Sequence, residues 1–165
     1  MVTSSRGRVA GVVLAAVFLA VLLLGPAAAK RPGPVVVRTL AGRTLRVGEE
    51  PRVALLVFGA RWCRPCEELV PGLRRLRAVP RTRRLTVILV GLPVREDADG
   101  FSRWARDAGF EGPLAFDRER RLLRLLGVRE VPALVAVGPG GRILWRGDRV
   151  PELAEVESWL AAGNR

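Results

Sequence analysis

Phe58-Gly59-Ala60-Arg61-Trp62-Cys63-Arg64-Pro65-Cys66 holds both cysteines of the 165-residue chain, with two residues between them. Residues 53–58, which lead into it, form an unbroken apolar run and predict a strand buried on both faces. Beyond it, Leu69, Leu73 and Leu76 recur at helical spacing. They predict a helix from Cys63 to about Val79, kinked where Pro71 interrupts the hydrogen-bond ladder. A strand that delivers Cys-x-x-Cys to the start of a helix makes a thiol chemically useful. The free N–H groups of the first turn and the positive end of the helix favour thiolate over thiol. Arg61 and Arg64 add positive charge, and Pro65 sits where a first-turn N–H would have no helical acceptor.

Composition narrows the chemistry. One domain's length with 49% hydrophobic residues supports a real core. The formal net charge is +12, and Lys30 is the only lysine, so arginine carries nearly all the positive charge. No basic motif interleaved with aromatics appears, which argues against a nucleic-acid partner. There is no histidine, so imidazole-based catalysis is excluded, and two cysteines alone cannot complete a structural zinc site. No metal is expected. Arg74, Arg75, Arg77, Arg81, Arg83 and Arg84 form a basic stretch whose simplest meaning is a solvated face.

The N-terminus carries Arg6 and Arg8, then an uncharged run over residues 9–24, a Gly25-Pro26 break and Ala27-Ala28-Ala29. That order is a signal-peptide pattern with cleavage after Ala29. The 21 uncharged residues 9–29 are also just long enough for an uncleaved anchor. Either way the chain beyond is expected outside the cytoplasm, where a cysteine pair persists as a disulfide. The expected organisation is residues 1–29 as signal peptide or anchor, 30–34 as linker and 35–165 as one domain.

Within that domain, Val35-Val36-Val37 and Thr44-Leu45-Arg46-Val47 predict a hairpin. Residues 85–90 predict a second buried strand, and residues 97–108 a helix with Phe101, Trp104, Ala105 and Ala108 on one face. Leu114-Ala115-Phe116 is a short strand, and Asp117 is placed to cap a helix ending at Leu126-Gly127. Val131-Pro132 opens a strand that pairs with residues 142–146 across a glycine-rich turn. A helix from Pro151 closes the chain. The alternation gives an α/β fold, a mixed sheet with helices on both sides.

Trp62-Cys63-Arg64-Pro65-Cys66, with Pro71 five residues on and Val131-Pro132 before a strand, resembles the thioredoxin fold. In detail it is similar to the TlpA/ResA/DsbE-like thiol-disulfide oxidoreductases. The resemblance implies a short N-terminal β-hairpin extension, a helix-strand insertion between Leu85 and Asp117, and a cis Val131-Pro132 bond facing the cysteines. It implies a redox-active Cys63–Cys66 pair with no other cofactor, acting on disulfide or dithiol proteins such as apocytochrome c. A membrane electron donor of the DsbD/CcdA type would re-reduce the pair, and the protein would be a monomer.

In that mechanism Cys63 is the exposed nucleophile and Cys66 the resolving thiol. Trp62, Arg64, Pro65, Val131 and Pro132 would shape the substrate groove. The buried acid of thioredoxins is replaced by Val57 and the acid of many ResA-like members by Leu69. Glu67, Glu68 and Glu130 are therefore the candidate proton acceptors. An inert Cys63–Cys66 bridge is disfavoured, since so short a loop stabilises little. The alternatives are a non-catalytic binding or chaperone module at the membrane, or a thiol oxidase or peroxidase-like redoxin.

Overall fold

The fold was read from a computed structural model that describes residues 33–49 and 52–162. The expected signal peptide or anchor, 1–29, lies outside the described residues. Among the described residues no helix is long and apolar enough to cross a membrane.

The order is β1 (Val35–Arg38), β2 (Thr44–Val47), β3 (Val53–Gly59), α1 (Arg64–Ala78), β4 (Leu85–Gly91), α2 (Ala98–Asp107), β5 (Leu114–Phe116), α3 (Arg121–Leu125), β6 (Ala133–Val137), β7 (Ile143–Gly147) and α4 (Leu153–Ala162). β1 and β2 form the expected antiparallel hairpin. The other strands make one sheet in the order β5-β4-β3-β6-β7. β3, β4 and β5 are parallel, while β6 and β7 run antiparallel to their neighbours, so the sheet is mixed. β3 lies at its centre, which is why its sequence is apolar at every position: all seven residues are buried.

The two-residue period of β3 sorts its side chains onto two cores. Val53, Leu55 and Val57 face Leu69, Val70 and Leu73 of α1, Phe101 and Ala105 of α2, and Val156 and Trp159 of α4. Ala54, Leu56 and Phe58 face Val35, Val37 and Val47 of the hairpin and Leu122 and Leu126 at α3. The hairpin thus does for the second face what a longer helix would otherwise do. Each fully buried Leu or Phe contributes about 1.5–3 kcal/mol.

α1 begins one residue later than expected, with Cys63 as its N-cap, and it continues through Pro71. α3 is shorter than expected. Asp117 caps it from four residues upstream: Oδ1 accepts from the Arg121 N–H at 2.8 Å and Oδ2 from the Leu123 N–H at 3.0 Å. Gly127, at φ 63°, ends the turn. Asp117 is buried with both oxygens so engaged. Asp117→Ala is therefore expected to lower stability by about 1–2 kcal/mol, read as a urea midpoint shift at constant slope. An unchanged midpoint would show that the cap contributes nothing.

Candidate active site

β3 delivers Gly59 and the buried Ala60 to the edge of the sheet, and residues 61–62 make the turn into α1. The Cys63 N–H donates to the Ala60 carbonyl at 3.0 Å, and the Cys66 N–H to the Cys63 carbonyl at 2.9 Å. These bonds set the two residues one helical turn apart. They are joined as a disulfide, S–S 2.04 Å, with Cα atoms 5.2 Å apart. Cys66 sits against the strand end: a Cβ on Gly59 would stand 3.5 Å from its Sγ.

The expected exposure of Cys63 is corrected here. It is only 5% exposed, against 3% for Cys66. Ala60 packs with both cysteines, and Trp104 of α2 and Val131 cover this cluster from segments distant in sequence. The difference between the cysteines is one of position. Cys63 is the N-cap residue, in extended backbone at the positive end of α1, and no side chain caps that end. Cys66 lies inside the first turn, against β3.

Val131-Pro132 is cis, and Val131 touches the cysteine cluster. Trp62 is 47% exposed, and its indole N–H donates to the Val94 carbonyl. Arg64 and Pro65 are exposed on the first turn of α1. Val57 and Leu69 are buried in the apolar core, so no carboxylate stands at either position.

Glu67, Glu68 and Glu130 are all exposed, and Glu68 lies 3.9 Å from Arg64. A different acid is bonded to the active-site turn. Glu96 Oε2 accepts from the Arg61 N–H at 3.1 Å, while Oε1 is buried with no hydrogen-bond partner among the described residues. The Trp104 Nε1 is likewise buried and unpartnered. Arg95 lies between the two residues that hold the turn and is left-handed at φ 57°, uncommon for a side chain-bearing residue. The signal for Glu96 was topological. β3 and β4 are parallel neighbours, so the loops after them meet at one edge of the sheet.

Burial pushes the Glu96 carboxyl above its ordinary range, and the Asp97 charge adds to this; the Arg61 N–H bond and the Arg61 charge oppose it. The folded chain therefore keeps that proton to higher pH than the unfolded chain. Stability from this group is full below the ordinary carboxylate pKa and falls as pH rises through the raised one. Glu96→Gln is expected to flatten that part of the pH–stability curve, which lies above the ordinary carboxylate pKa. Parallel curves for the two proteins would contradict the assignment.

Residues 38–146, more than half the chain, match the AhpC/TSA family. The thiol-disulfide oxidoreductase ResA of Bacillus anthracis is 23% identical over 110 residues, 66% of this chain. The chain spans 62% of the length of that relative. Among solved structures, a secreted Mycobacterium tuberculosis disulfide oxidoreductase homologous to Escherichia coli DsbE matches with TM-score 0.62 and 19% identity, over 82% of this chain and 99% of that one. A thioredoxin-like protein from Aeropyrum pernix matches with TM-score 0.62 and 21% identity, over 90% and 97%. These structures establish the thioredoxin fold, with the hairpin extension and the helix-strand insertion expected of it. The chain belongs to the AhpC/TSA family and is a thioredoxin-fold protein of the TlpA/ResA/DsbE-like kind.

Proposed function

We propose that the chain is an extracytoplasmic thiol-disulfide oxidoreductase that reduces disulfides in exported proteins. One observation carries this reading: the Cys63–Cys66 disulfide stands at the open N-terminus of α1, beneath the Val131-Pro132 loop. Among the described residues no group of three or more cysteine, aspartate or glutamate side chains is placed to hold a metal ion.

In the reduced protein the Cys63 thiolate attacks one sulfur of a client disulfide. A Cys63–client bond forms, the client bond breaks, and the leaving client sulfur takes a proton. The Cys66 thiolate then attacks Cys63 Sγ. The Cys63–Cys66 bond forms and the second client thiol leaves. Two electrons have passed to the client, so a dithiol donor must reduce the pair again. A membrane protein of the DsbD/CcdA type fits that need, and apocytochrome c is a fitting client. The pair itself is the redox group. Trp62, Arg64, Pro65, Val131 and Pro132 form the groove for the client backbone, and the protein works as a monomer.

The location rests on the signal pattern of residues 1–29, with 30–34 as a linker to the domain at 35–165. Thiol trapping in cells tests the direction of electron flow. A mostly reduced pair is the expected result, and a mostly oxidised pair would overturn the reducing direction. An alkaline phosphatase fusion after Pro34 is expected to be active, and an inactive fusion would overturn the location.

A further inference from the structure

An open groove of about 640 Å³ runs from the active-site turn towards the end of α3. Leu92 and Val128 line it as buried apolar residues, with Leu123 and Val131 half-buried beside them. Val131 also packs on the cysteine cluster, so the groove borders the cover of the disulfide. Trp62, the residue before Cys63, lines the same groove with nearly half its surface exposed. An exposed indole beside an apolar floor is an anchor for an apolar or aromatic side chain.

The charge around this floor is one-sided. Arg120, Arg124 and Arg129 line the groove, all exposed, against one acid, Glu130. Elsewhere Arg46, Arg64, Arg81, Arg121 and Arg149 each stand within ion-pair distance of a glutamate. Among the described residues Arg120, Arg124 and Arg129 have no such partner, a property they share with Arg74, Arg75 and Arg83; what sets them apart is the apolar floor they border. Arg120 also holds a left-handed backbone, φ 53°, where a glycine would be the ordinary choice. Three guanidinium groups beside an apolar trough match carboxylates on an extended polypeptide better than any neutral ligand.

We infer that this groove selects clients carrying aspartate or glutamate, next to an apolar or aromatic residue, beside the cysteine to be reduced. The inference rests on the oxidoreductase reading and names its substrate class. Apolar contact with Trp62, Leu123 and Val131 would hold the segment, and the three arginines would choose it.

The test uses the full-length oxidised chain and three labelled nonapeptides. Each has one phenylalanine and a serine in place of cysteine, flanked by two aspartates, two asparagines or two lysines. Fluorescence anisotropy is expected to give a Kd about tenfold lower for the aspartate than for the lysine peptide at low salt. Arg120→Gln/Arg124→Gln/Arg129→Gln is expected to bring that ratio close to one. Arg74→Gln/Arg75→Gln/Arg83→Gln, which removes the same charge from another face, is expected to leave it unchanged. Equal affinity for the peptides, no binding of any of them, or equal loss in both triple variants overturns the inference. So does displacement of the peptide by anionic phospholipid vesicles at lower concentration than by unlabelled peptide, since the groove would then belong to a membrane surface. Binding needs no sulfur chemistry. If the reduced chain turns over none of the matching disulfide peptides while the tenfold ratio stands, the oxidoreductase reading fails and the charge selection survives.

Discussion

Cys63→Ser is expected to lower disulfide reduction by a thousandfold or more, on the order seen when a reacting nucleophile is removed. Cys66→Ser is expected to keep the first step and stop at the second, leaving a stable mixed disulfide between Cys63 and the client. Exposure does not separate the two residues, which are 5% and 3% exposed. Position does. Cys63 caps α1, where the helix end favours a thiolate and no side chain competes for the free N–H groups. Cys66 has its N–H committed to the Cys63 carbonyl and its side chain against Gly59. Attack on a bulky client from that place is blocked, while attack on the adjoining Cys63 Sγ is not. Non-reducing gels of each variant with a client check this. A client complex trapped by Cys63→Ser and not by Cys66→Ser would reverse the roles.

Phe101→Ala is expected to cost about 3–5 kcal/mol, a large share of a small domain's total stability. The ring is fully buried in the larger core, and its centroid lies 5.7 Å from that of Trp104 and 6.0 Å from that of Phe116. Gly91 gives it room: a Cβ there would come within 2.6 Å of the ring. No neighbour fills the void without moving β4 or α2. The effect reaches the site because Trp104, held by Phe101, is one of the residues covering the sulfurs. The folded variant should therefore show faster alkylation of its reduced cysteines as well as a lower urea midpoint. A midpoint within about 1 kcal/mol of the parent would contradict the packing account.

What was legible in the sequence shares one property: the cause lies within a few residues. β3 and β4 declared themselves by continuous apolar runs, α1 by Leu69, Leu73 and Leu76, and the hairpin by two short β-branched strands around Gly42. The cysteine pair at a strand-to-helix turn was legible for the same reason. What failed needed residues brought from far apart. Cys63 is buried because Trp104 and Val131, some 40 and 70 positions away, close over it. Glu96 was missed because its bond to the Arg61 N–H depends on two parallel strands ending together, whereas Glu67 and Glu68 stood next to Cys66 in sequence. The short α3 followed from Asp117 capping at a distance, which no simple N-cap spacing announces.

The central claim is that the Cys63–Cys66 pair exchanges electrons with a protein disulfide. Its most direct measurement mixes the pre-reduced, reductant-free chain with an excess of insulin, quenches with acid, and counts disulfides on both proteins. The account predicts one insulin disulfide reduced for each Cys63–Cys66 disulfide formed, and none with Cys63→Ser. Insulin left intact while the cysteines stay reduced, or cysteines oxidised without matching loss of insulin disulfides, would contradict it.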